Sequence, residues 1–175
     1  MKRTELEHVL RASAAITNDA SFVVAGSQAV LLPCPDAPAD LLLSNEVDLC
    51  PAVHPEKADL IDGAIGRLSL CHDTFGYCVD GVVPPTATMP ADWMKFSTLC
   101  CIGEITVVAP DLHDLAVSKC VAARDQDAQR ARALLRHRMI GPLRREARLR
   151  SLDAAGPSIE KLVAWAPRRA REAET

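Results

Sequence analysis

The sequence predicts an α+β fold: a strand-and-helix core over residues 1–108, then a helical region over 109–175. Three observations carry this. Phe22-Val23-Val24 forms a short apolar run that breaks at Gly26-Ser27, the punctuation of a strand passing into a helix. Asn45-Glu46-Val47-Asp48-Leu49 alternates polar and apolar residues, the period of a strand with one face in the core. After Pro110 the apolar spacing becomes helical, with Leu112, Leu115, Ala116 and Cys120 on one stripe.

A chain of 175 residues suits one domain, or one domain with a helical appendage. Apolar residues make up 49% and aromatics only 3%, so the core is expected to be aliphatic and alanine-rich. A net charge of −3 supplies no overall attraction to nucleic acid or to a membrane surface. The charge is uneven, because residues 124–150 hold nine arginines and no lysine. A basic helical half beside an acidic site would suit a polyanionic substrate; a solvated arginine-rich helix face has the same composition. The seven cysteines are odd in number, lack any C-x-x-C, and fall mostly in apolar runs, where a thiol acts as a small hydrophobe. This usage predicts a reducing, cytoplasmic setting. No apolar segment follows Met1-Lys2-Arg3 and no run of eighteen apolar residues occurs, so neither a signal peptide nor a membrane span is expected.

In chain order, Thr4–Ile16 reads as an amphipathic helix with a capping-box pattern in Thr4 and Glu7. Ser21–Ala25 is the first strand, and Gln28–Leu32 a short helix stopped by Pro33 and Pro35. Glu46–Cys50 is the second strand, and Pro55–Ile65 a helix with proline in its first turn and Leu68–Leu70 near its end. Phe75–Val83 alternates as a strand, residues 86–96 form a turn-rich connection, and Glu104–Val108 is a β-branched strand. Asp111 caps a helix to Ala123, which continues or restarts at Asp125 and runs to His137. Gly141-Pro142 breaks it, and short helices are expected over 143–152 and 157–166.

Glu46 and Asp48 stand at i and i+2 of a strand, so both project from one face while Val47 and Leu49 turn to the core. Neighbouring carboxylates repel, and a divalent cation is a reason to keep them together; magnesium takes oxygen ligands and bridges to phosphates. Asp80, inside the apolar run Tyr77–Val82, is the natural third acid; an aspartate before glycine also suits a turn. Gly26-Ser27 reads either as a tight turn or as a helix N-terminus whose N–H groups, with the Ser27 hydroxyl, hold phosphate. Lys119 lies on the apolar side of its helix, and on an unbroken helix Asp127 falls on roughly the same face; a helical salt-bridge ladder would look alike. His54, His72, His113 and His137 lack metal-ligand spacing and read as surface or cap residues.

Together these pieces resemble the bacterial nucleotidyltransferase-like proteins related to the AbiEii abortive-infection toxins, and more closely a sister family of the same plan. The resemblance covers roughly residues 4–140. It rests on Phe22-Val23-Val24-Ala25-Gly26-Ser27-Gln28-Ala29, on Ser44-Asn45-Glu46-Val47-Asp48-Leu49, and on Tyr77–Val82 with Met89-Pro90-x-x-Trp93. Its strongest piece is Asp111-Leu112-x-Asp114-Leu115-Ala116-x-Ser118-Lys119-x-x-Ala122-x-Arg124-x-x-Asp127. It implies a small mixed β-sheet flanked by helices, with the helical region packed on that core. It further implies that Gly26, Ser27, Lys119 and Arg124 bind the nucleotide, that Glu46, Asp48 and Asp80 hold Mg2+, and that these acids with Lys119 and Asp127 are catalytic. Aspartate is usual in the family where this chain has Glu46, and the position after Trp93 is usually basic where this chain has Met94. The implied reaction transfers a nucleoside monophosphate from a nucleoside triphosphate to an RNA such as transfer RNA, or to a protein hydroxyl. The alternative is an inactive nucleotide-binding module of the same fold, or a toxin–antitoxin component that binds a partner chain.

Overall fold

The computed structural model of the chain describes residues 1–83, 88–122 and 125–152. It is an α+β protein built on a five-stranded mixed sheet. Two compact units divide it: Met1–Ala87 with Ser97–Pro110, and Thr88–Phe96 with Asp111–Thr175. Among the described residues no helix is long and apolar enough to cross a membrane.

In the first unit, α1 (Arg3–Thr17) buries Leu6, Val9 and Leu10 on one stripe. Its start differs from the expected box: the Lys2 N–H donates to Glu5, while Glu7 bridges Arg3 and Arg11 along the helix surface. The sheet comprises β1 (Ser21–Ala25), β2 (Glu46–Pro51), β3 (Cys78–Gly81), β4 (Thr98–Ile102) and β5 (Ile105–Ala109), in the order β3-β2-β1-β5-β4. The β1–β2 and β4–β5 pairs are antiparallel, and β1–β5 and β2–β3 are parallel. Phe22, Val24, Val47, Leu49, Val79 and Val107 are essentially fully buried, so one face of the sheet is apolar core. Ser21, Val23, Ala25, Glu46 and Asp48 alternate with them and are only half-buried.

Several elements depart from the sequence reading. The segment after Gly26 is a five-residue 3-10 helix, Ser27–Leu31, rather than an α-helix. So short an element sums few peptide dipoles, which removes most of the expected electrostatic pull on phosphate. The Pro55 helix begins as a 3-10 turn (Pro55–Lys57) and becomes α2 (Ala58–Ile65). Leu68 does not extend it: its φ of 69° places it in the left-handed region, and a separate α3 (Leu70–Phe75) follows, capped by the Ser69 hydroxyl. The third strand is therefore shorter than Phe75–Val83. Its close packing needs Gly81, where a Cβ would lie 2.1 Å from the Ala58 carbonyl of α2.

The second unit contains α4 (Leu112–Ala122), α5 (Asp125–Arg136) and α6 (Pro142–Arg150), with a 3-10 turn over Trp93–Phe96. Val117, Cys120, Ala131, Leu149 and Leu152 form its apolar cluster. Asp111 caps α4 as expected, accepting from the His113 N–H at 3.0 Å. His113, expected at the surface or in a cap, is buried at the capped start of α4. Its Nε2 accepts the Gly141 N–H at 3.0 Å, which leaves Nδ1 as the donor to Asp111 at 2.8 Å. Arg145 and Arg148 are also buried, so part of the arginine-rich stretch is structural. The segment expected to be helical over 157–166 lies outside the described residues.

Candidate metal centre

The parallel pairing of β2 with β3 sets Asp48 directly opposite Asp80 and Glu46 opposite Cys78. Glu46, Asp48 and Asp80 each present a carboxylate oxygen within 4.8 Å of the others. Asp80 is thus a strand residue in register, not a turn residue. Glu46 stands two residues before Asp48, about 7 Å back along the strand. Its extra methylene lengthens its reach toward the Asp48–Asp80 pair.

Gly26 ends β1 beside this cluster. Its φ of 64° and ψ of −160° define a conformation that only glycine adopts readily. A Cβ there would fall 1.7 Å from Asp48 Oδ2, so the missing side chain is the space that Asp48 occupies. Ser27 follows as the first residue of the 3-10 helix and is half-buried. The sequence therefore brings Gly26 and the three acids together through strand pairing, with Ser27 next in the chain.

Two residues that the sequence reading passed over complete the site. Arg67, in the loop after α2, donates from Nη2 to Glu46 Oε2 at 2.5 Å. Asp62 of α2 joins Glu46, Arg67, Val79 and Asp80 in lining an open cleft of about 210 Å³. That volume admits an ion with several waters, or a phosphate group, at about 30 Å³ per water. The only local sequence cue to Arg67 is its place after Gly66 at a helix end, which marks a loop and nothing more.

The donor set fits a hard divalent cation. Octahedral magnesium at about 2.1 Å holds oxygens roughly 3 Å apart at adjacent positions and 4.2 Å at opposite ones. Three carboxylates already within 4.8 Å can close onto such an ion by side-chain rotation. Burial raises the Asp80 pKa, and the Glu46 and Asp62 carboxylates raise it further, against the opposing Arg67 charge. Its ionisation therefore costs folding free energy: the stability tied to Asp80 is complete below its ordinary value of 3.8 and is lost as pH rises through the raised value. In chelator, Asp80→Asn is expected to melt about 1–3 °C above wild type at pH 7, with the gap closing toward pH 3.5. Equal melting at both pH values would remove the electrostatic strain from the account.

The remaining expected residues belong to the second unit. Lys119 is buried and pairs with the fully buried Asp127, Nζ to Oδ1 at 3.4 Å, across the junction of α4 and α5. The two charges meet between the described helices α4 and α5, and residues 123–124 between them lie outside the described residues. Arg124 lies outside the described residues. Sequence reasoning also missed the buried pair of Asp114 with Arg148, 34 residues apart, because nothing local links them. The cysteines are all free thiols.

Comparison with protein-family models, curated proteins and solved structures finds no match to this chain.

Proposed function

We propose that this chain is a magnesium-dependent nucleotidyltransferase that moves a nucleoside monophosphate from a nucleoside triphosphate to a hydroxyl acceptor on RNA or protein. The observation that carries the reading is the convergence of Glu46, Asp48 and Asp80 beside the Gly26-Ser27 turn. The motif resemblance to the AbiEii-related toxins supports it. Glu46, Asp48 and Asp80 would hold the metal, which supplies charge neutralisation at the transferring phosphorus. The backbone at Gly26-Ser27 would bind and orient phosphate oxygens at close approach, since no side chain stands at position 26. A carboxylate of the cluster would also accept the acceptor hydroxyl's proton as its oxygen attacks the α-phosphorus, the α–β phosphoanhydride bond breaking and pyrophosphate leaving.

The test is calorimetric titration of the four ribonucleoside triphosphates, with and without magnesium, on wild type and Asp48→Ala. Magnesium-dependent binding, weakened at least tenfold in the variant, is the expected result. Binding that ignores magnesium and survives in Asp48→Ala would overturn the reading, as would no binding by wild type at all. Positive binding would justify screening acceptors, beginning with transfer RNA.

A further inference from the structure

We propose that Arg67 is a built-in counter-cation of the carboxylate site, holding Glu46 until a metal replaces it and then serving the phosphates of a polyphosphate ligand. This rests on the metal-site reading above and adds a residue to it.

The contact itself is the first reason. Arg67 Nη2 lies 2.5 Å from Glu46 Oε2, one of the carboxylates that would bind metal. Among the described residues, Arg67 is the cation lining a cleft whose other charged residues are Glu46, Asp62 and Asp80. A guanidinium on a ligand oxygen competes with a metal for the same lone pairs. A metal bound through Glu46 Oε2 would therefore release Arg67 from it.

The loop that carries Arg67 is the second reason. Its backbone is held rather than loose: the Gly66 N–H donates to the Asp62 carbonyl at 2.9 Å, and the Ser69 N–H to the Gly66 carbonyl at 3.2 Å. The Leu68 N–H donates to His72 Nδ1 at 3.2 Å while Leu68 itself has a φ of 69°. A leucine side chain 85% exposed gains little by packing, so side-chain burial does not favour this left-handed conformation. The residue before it, Arg67, lines the cleft. The Arg67 side chain is 71% exposed, so it can swing from Glu46 toward a ligand without disturbing the core. A planar guanidinium suits phosphate as well as carboxylate, which names the ligand class it would serve.

Two titrations on Arg67→Gln give opposite signs if this holds. With Mn2+ alone, the variant should bind about 3–5-fold more tightly than wild type, because a competing exposed ion pair is gone. With inorganic tripolyphosphate in saturating magnesium, it should bind about tenfold more weakly, because a charge-assisted phosphate contact is gone. Arg67→Lys, which keeps the charge but not the fork, should fall between wild type and Arg67→Gln in the second titration. Unchanged or weaker Mn2+ binding by Arg67→Gln would overturn the counter-cation role, and unchanged tripolyphosphate binding the phosphate role. Asp48→Asn separates this proposal from the reading beneath it. If wild type binds Mn2+, Asp48→Asn does not, and Arg67→Gln matches wild type, the metal site stands and Arg67 has no part in it. If wild type, Arg67→Gln and Asp48→Asn all fail to bind Mn2+, the metal site falls and the proposal with it.

Discussion

Arg148→Ala is expected to cost the second unit about 3–5 kcal/mol, a large fraction of the stability of an ordinary domain. Arg148 reaches Asp114 through Nε at 2.6 Å and Nη2 at 2.9 Å, a two-point match of guanidinium to carboxylate. Asp114 is fully buried, and the Arg148 side chain is 10% exposed. Removing the arginine leaves a fully buried carboxylate without this partner, and that uncompensated charge dominates the loss. The same guanidinium donates to Asp92 at 2.8 Å and lies 4.5 Å from the centre of the Phe96 ring. It thereby ties the 88–96 segment to α4 and α6, and its loss should loosen that segment too. Urea denaturation followed by far-ultraviolet circular dichroism measures the change. Arg148→Lys should lose less, because one charged contact survives without the fork. The double variant Asp114→Leu with Arg148→Met should recover much of the loss, since an apolar pair leaves no buried charge. A deficit under 1 kcal/mol for Arg148→Ala would mean that Asp114 finds water or another cation.

Gly26→Ala is expected to be the most damaging conservative change at the candidate metal centre. Two costs combine there. The backbone conformation alone disfavours any side chain by about 1–3 kcal/mol. The added Cβ would also sit 1.7 Å from Asp48 Oδ2, so Asp48 must move. Displacing a ligand from a site that demands accurate geometry should weaken Mn2+ binding at least tenfold, in addition to the lost stability. A double-mutant cycle with Asp48→Ala separates the costs. The backbone strain should persist in the Asp48→Ala background, whereas the overlap should vanish and appear as a coupling energy of about 1 kcal/mol or more. Additive effects would show that the Asp48 side chain does not fill the space at Gly26.

Much of the first unit was legible because its signals are local. Period-2 alternation placed Glu46 and Asp48 on one face of β2, and the strand–glycine transition placed Gly26 at the end of β1. The β4–β5 hairpin was half missed. Only Glu104–Val108 was read as a strand and Thr98–Ile102 was not, although Gly103-Glu104 is a two-residue turn signal and Gly103 does take a φ of 62°. The α3 helix was missed because a six-residue element shows less than two turns of periodicity. His113 read as a surface or cap residue, and its burial was missed because its partners, Asp111 and Gly141, satisfy a ring whose burial no spacing announces.

By itself the sequence determined the α+β class, most of the strands and helices, and the pair of carboxylates sharing one strand face. All of these follow from periodicity and turn chemistry within a few residues. Only the tertiary structure decided that β3 pairs parallel to β2, which sets Asp80 opposite Asp48 rather than one residue out of register on the other face. It alone decided that Arg67 meets Glu46 across 21 residues and that Arg148 meets Asp114 across 34. Such meetings depend on which distant segments find each other when apolar faces are buried, and the charge of a residue carries no record of its partner.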